Sequence, residues 1–186
     1  MAAANAAVLL GANALLRKLR LGVPSADAAL FILLRLTLIS LAVLVLGLAG
    51  LLTPAGLGIT GTLAMTILLL LGEHRKLARP RWPDVGRFLP AFLVVVALRL
   101  LLQTWFFAPS ALDTLSYHLP KVAEWVNAGA LTFEHGSDSR ANFPAGFELV
   151  ETWWVLFLHH DVLIEMAGIE FLALGFAATW ALARHL

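Results

Sequence analysis

The sequence predicts an all-α polytopic membrane protein with four transmembrane helices and one long loop of juxtamembrane helices, and two observations carry that expectation. Of its 186 residues, 60% are hydrophobic and 13% are charged, with a mean hydropathy of +0.86. An ordinary soluble domain has about 45–50% apolar and about 25% charged residues, so this chain has too little polar surface for water to coat it. The apolar residues are also gathered into runs: Ala28–Gly50, Ala55–Gly72, Phe88–Phe107 and Val162–Ala183. Each falls in the range of roughly 17–25 residues that lets a helix cross a hydrocarbon core about 30 Å thick.

These runs divide the chain. Residues 1–27 are expected to be a cytoplasmic amino-terminal segment, residues 28–107 to hold three spans, residues 108–161 to form the loop, and residues 162–186 to be the fourth span. In MAAANAAVLLGANALLRKLRLG the apolar run precedes Arg17, Lys18 and Arg20, the reverse of a signal peptide, so a short cytoplasmic or in-plane helix is expected. The second run carries Gly56, Gly58, Gly61, Thr60, Thr62 and Ala64, small residues that let helices approach closely in lipid.

Orientation follows from the positive-inside bias. With four crossings, Arg17, Lys18, Arg20, Arg75, Lys76, Arg79, Arg81, Arg87 and Arg184 all fall on one side, and the loop faces the opposite, extracytoplasmic side. Counting Ala145–Leu158 as a fifth span would strand Arg184 outside and place Glu148 and Glu151 in the bilayer. That stretch is instead expected to lie at the outer interface, with Trp153 and Trp154 at headgroup depth. Arg99 and Glu170 each lie eight residues from the outer end of a span, roughly 12 Å deep at about 1.5 Å per residue, so they are expected to pair.

Several classes are excluded. A net charge of +1, with basic residues in short blocks beside spans, lacks the clustered basic face that nucleic acid requires. The absence of cysteine removes disulfides, thiolate metal sites and cysteine nucleophiles.

The loop is where chemistry can reside. From Pro109 to Asp161 it holds seven carboxylates against two cations, Lys121 and Arg140. Leu112, Leu115, Leu119, Val122 and Val126 recur at helical spacing, and Gly129 supplies a stop. Asp113, Tyr117, Lys121 and Glu124 share the polar face of that helix, and Pro120 predicts a kink or break. Glu148 and Glu151 lie one turn apart on a second helix. His159 and His160 point about 100° apart, so no zinc site is expected there.

The segments DTLSYHLPKVAEWVNAGAL and NFPAGFELVETWW, followed by a span ending in ALARHL, resemble the first extracytoplasmic loop and following helix of GT-C membrane glycosyltransferases. The likeness is to the bacterial branch similar to dolichyl-phosphate-mannose-protein mannosyltransferases and to the lipid A aminoarabinose transferase. It covers about Phe88 to Leu186; the first two spans lie outside it. Asp113 matches the family's loop aspartate, Tyr117 and His118 the following YH, and Phe143, Pro144, Gly146 and Glu148 an FPxGxE-like start of the second helix. The resemblance implies transfer of a sugar from a polyprenyl-phosphate donor to an extracytoplasmic acceptor, in the bacterial inner (plasma) membrane. Membrane lipids and the lipid-linked donor would be the partners, and no nucleic acid is involved.

In this scheme Asp113 is the catalytic base on the acceptor hydroxyl, and Tyr117, His118, Lys121, Arg140 and Glu148 bind substrate. No cofactor is implied beyond the donor; Thr114 stands where many relatives have a second acidic residue, which leaves a divalent metal without paired carboxylates. Relatives have more spans, so the chain is expected to be an amino-terminal portion. The competing reading makes Asp113 a helix N-cap and the chain a non-catalytic membrane module or degenerate fragment whose acidic loop only packs or binds a partner.

Overall fold

The computed structural model describes residues 1–77, 88–107, 114–132, 145–158 and 161–184, and among the described residues the chain is helical, with no strand. Proline opens both central helices. α2 (Pro24–Leu48) and α3 (Pro54–Leu70) each place it in the first turn, where its missing N–H is not needed. The Thr53 hydroxyl oxygen accepts the Gly56 N–H at 3.0 Å and caps α3. Between them Gly50 takes a φ of +67°, so the chain reverses into α3, whose main neighbour is α1 rather than α2.

α1 (Ala2–Leu19) is the short amino-terminal helix that the sequence leads one to expect, and it is packed into the bundle. It lies lengthwise against α2 and α3, with Ala4, Ala7, Val8, Ala12 and Leu16 buried. Ala4 sits on Gly61, so closely that a Cβ at Gly61 would come within 2.6 Å of the alanine Cβ and 2.7 Å of its Cα. Thirteen residues on, Arg17 donates to the Lys76 carbonyl at 2.9 Å and pairs with Glu73, in a 3-10 turn Glu73–Lys76, so α1 and α3 run the same way. The guanidinium of Arg17 holds the Glu73 carboxyl below its ordinary range. Small residues on both helices explain the intimacy, because nothing but backbone and methyl groups meets there.

Two stretches are long and apolar enough to cross a membrane: Pro24–Leu48 with 25 residues, and Asp161–Ala183 with 23, made of a 3-10 turn (Asp161–Leu163) and α7 (Met166–Ala183). That is two of the four runs read from sequence. α3 is shorter because Gly72, with a φ of +70°, ends the helical path soon after Leu70. α4 (Phe88–Phe106) is apolar and meets the rest of the chain chiefly at the turn 161–163. Outward residues of α3, α4 and α7, such as Leu63, Leu70, Phe92, Val94 and Phe176, are exposed, a surface that suits hydrocarbon better than water.

The expected Arg99–Glu170 pair does not form. Glu170 pairs with Arg35 of α2, whose guanidinium also donates to Asn5 of α1 at 3.1 Å and lies 5.9 Å from the Trp154 ring. α7 packs along α2 whereas α4 stands apart, so Arg99 is exposed and makes no ion pair among the described residues. It lines an open groove of about 1250 Å³ between α4 and α7, together with Gln103, Thr104 and Glu165.

Loop helices complete the core. α5 (Leu119–Ala128) follows a π turn (Thr114–His118), which is the break expected at Pro120. Gly129 ends α5 at a φ of +65°, as the sequence indicates. The strap after it crosses the α2–α3 turn: the Leu52 N–H donates to the Gly129 carbonyl at 2.8 Å and the Leu131 N–H to the Gly47 carbonyl at 3.0 Å. α6 (Gly146–Val155) packs on α2, and its tryptophans are buried against protein: Trp153 is 1% exposed, and its indole N–H donates to Asn5 at 3.4 Å. Arg35 is the twelfth of the 25 residues of α2, so the carboxy-terminal end of α6 lies near the middle of that helix.

Candidate functional site

The charged residues that α5 and α6 share lie under the loop, not on its surface. His118 closes the π turn and Lys121 follows it by three residues, a spacing that puts both on one side of α5. Glu148 occupies the first turn of α6, and its Thr152 neighbour one turn on donates its hydroxyl to the Glu148 carbonyl at 2.7 Å. The two helices meet face to face. Lys121 Nζ donates to Glu148 Oε1 at 3.0 Å, and His118 Nδ1 lies 3.2 Å from the same oxygen. The side chains of Lys121 and Glu148 are 1% and 2% exposed, and that of His118 is 24% exposed. Val122, Val155 and Ile164 form a small buried apolar cluster of their own between these elements.

This corrects the expected polar face. Lys121 is buried rather than solvated, because its ammonium has a carboxylate partner contributed from 27 residues away in sequence. A buried charge without such a partner is strongly disfavoured, which is why the two must be buried together.

Glu151, singled out in the sequence merely for lying one turn from Glu148, belongs to the same cluster. It is 4% exposed, and its Oε2 accepts no hydrogen bond among the described residues. Burial pushes its carboxyl up to about 8, helped by the negative charges of Glu148 and Glu165 and opposed in part by Lys121. Glu151 is therefore neutral at pH 7. The sequence signal for it was a glutamate inside an otherwise apolar run, FELVETWWVLF, where a solvated carboxylate has no place.

Of the six residues assigned to a site from sequence, His118, Lys121 and Glu148 converge. Tyr117 lies in the π turn between Thr114 and His118. Asp113 and Arg140 lie outside the described residues, as do Phe143, Pro144, His159 and His160. Among the described residues no three His, Asp or Glu side chains are grouped so as to hold a metal ion.

No family model, curated protein or solved structure matches this chain. Its chemistry rests on the geometry above and on the pattern of the loop. That geometry is a sealed ion pair with a half-open histidine and a second buried carboxyl beside it. Such a cluster can fix two helices to each other and leave His118 as the member able to reach a ligand.

Proposed function

We propose that the chain is the amino-terminal part of a GT-C-like membrane glycosyltransferase that moves a sugar from a polyprenyl-phosphate donor to an extracytoplasmic acceptor hydroxyl. The single observation that carries this reading is the meeting of its two loop motifs. Lys121 of DTLSYHLPK and Glu148 of FPAGFE bond at 3.0 Å across 27 residues of chain. Their buried pair ties the helix that follows Asp113 to the helix that follows Pro144, as a site assembled from both segments requires.

In this reading α3 and α4, with their flanking residues, complete the four spans; 17 residues at about 1.5 Å each reach roughly 25 Å, near the lower limit for crossing. Arg17 and Lys76 meet at one end of the α1–α3 bundle, while the strap 129–131 crosses the α2–α3 turn at the other. Asp113 takes the acceptor proton as the new glycosidic bond forms. His118 and Arg140 supply positive charge or hydrogen bonds to the departing phosphate. Lys121 and Glu148, being sealed, act as positioning residues.

A second reading, a non-catalytic membrane module, is favoured by that same sealing, since a buried pair needs no substrate to explain it. The two are separated by a transfer assay on the protein expressed from its complete reading frame. Membranes carrying it, given radiolabelled polyprenyl-phosphate sugars, should move label into an acceptor that control membranes leave unlabelled. Equal labelling in both would remove the transferase reading.

A further inference from the structure

Among the described residues, Glu151 is a buried carboxyl with no cation of its own. The elements packed on α6 and the π turn before α5 carry, among the described residues, His118, Lys121 and Glu124, Asp27 and Arg35 of α2, Glu170 of α7, and Asp161 and Glu165 of the 161–165 connection; of these Lys121 and Glu165, with Glu148 of α6 itself, act on the charge of Glu151. Lys121 is engaged by Glu148, and Arg35 by Glu170. The described residues thus leave Glu151 with a buried oxygen, Oε2, that no donor reaches, next to a carboxylate one turn away. Ionising it would add a negative charge beside Glu148 and Glu165, with Lys121 the opposing cation among the described residues.

We propose that Glu151 is a proton-binding site of the α5–α6 clamp: it carries a proton while the helices are docked and releases it when they part, so that docking tightens in acid and loosens as pH rises. The inference stands on the packing of α5 and α6 and holds whether or not the chain transfers sugar.

The direction of the effect follows from the two carboxyl states. An opened, solvated Glu151 titrates at its ordinary value of 4.5, and the docked one at about 8. Below the lower value both states are protonated and docking is at its firmest. Between the two the docked state holds one more proton than the open one, so the opening constant rises by about tenfold per pH unit, and above the upper value it levels off. The window spans neutral pH.

Hydrogen exchange of the full chain in nanodiscs tests this. Amide protection of Val122–Trp125 and Val150–Trp153, corrected for intrinsic exchange and referenced to α2, should fall by about tenfold per unit between roughly pH 5 and pH 8. Glu151→Gln, neutral at every pH, should flatten that profile. Glu148→Gln, which releases Lys121 to Glu151, should move the upper end of the window to lower pH. A flat wild-type profile, or an unchanged slope in Glu151→Gln, overturns the proposal. Should Glu151→Gln fail to fold, infrared spectra of wild-type protein decide. A carboxylic acid band that persists at pH 7, where ordinary glutamates of pKa about 4.3 are ionised, and titrates over the same window supports it, and absence of such a band overturns it.

Discussion

Replacing Lys121 with Met keeps the volume and removes the charge, and it should be among the most damaging single changes outside the spans. With Nζ and Oε1 3.0 Å apart, the attraction amounts to about 5–6 kcal/mol at an effective dielectric constant of about 20. Much of that offsets the desolvation of two groups that are almost fully buried. Removing one partner leaves Glu148 buried without its counter-ion, which costs about 3–5 kcal/mol. Removing both, in Lys121→Met with Glu148→Leu, leaves no orphaned charge and should fall within about 1.5 kcal/mol of wild type, as volume-conserving apolar swaps do. Thermal unfolding in detergent, followed by the fluorescence of the buried Trp125 and Trp153, measures all three variants. If the double variant loses as much as the two single variants added together, the residues act independently and the clamp is refuted.

Two further predictions concern the bundle. Arg35→Leu alone should destabilise more than Arg35→Leu with Glu170→Leu, since an unpaired charge at that depth costs at least about 2.5 kcal/mol; additive losses in detergent melts would reject the pair. Gly61→Ala should cost about 1–3 kcal/mol because its Cβ would meet the Ala4 backbone, whereas Gly58→Ala, with open space around it, should be neutral or gain up to about 1 kcal/mol in helix propensity. Equal melting of the two alanine variants would contradict the close α1–α3 packing.

What the sequence disclosed was what local rules govern. Apolar length marked α2 and α7, Pro120 marked the break before α5, and Gly129 marked its end, since each depends on residues within a turn of itself. Partners distant in sequence were not legible. Depth alone paired Arg99 with Glu170, but depth does not say which helices are neighbours, and Arg35 on α2 is the residue that α7 meets. Lys121 read as solvated because Glu148, its partner, comes from another helix. The packing of α1 was not legible because the order of its apolar run and charges says nothing of its neighbours, and the glycine opposite it, Gly61, lies 57 residues beyond Ala4. Trp153 and Trp154 followed the interfacial habit of their residue type in sequence, while in the fold Asn5 and Arg35 give them polar partners inside the bundle. Glu151 needed the whole cluster around it before its proton could be inferred.

The central claim is that the loop held by this cluster presents Asp113 as a base, and Asp113→Asn tests it most directly. The amide retains the size and much of the capping capacity of the carboxylate but cannot accept a proton near neutral pH. Turnover of radiolabelled polyprenyl-phosphate sugar by membranes carrying the full-length variant should fall by about 10²–10⁴-fold while expression and melting stay near wild type. Wild-type turnover in Asp113→Asn would contradict the account and leave the aspartate as a helix cap.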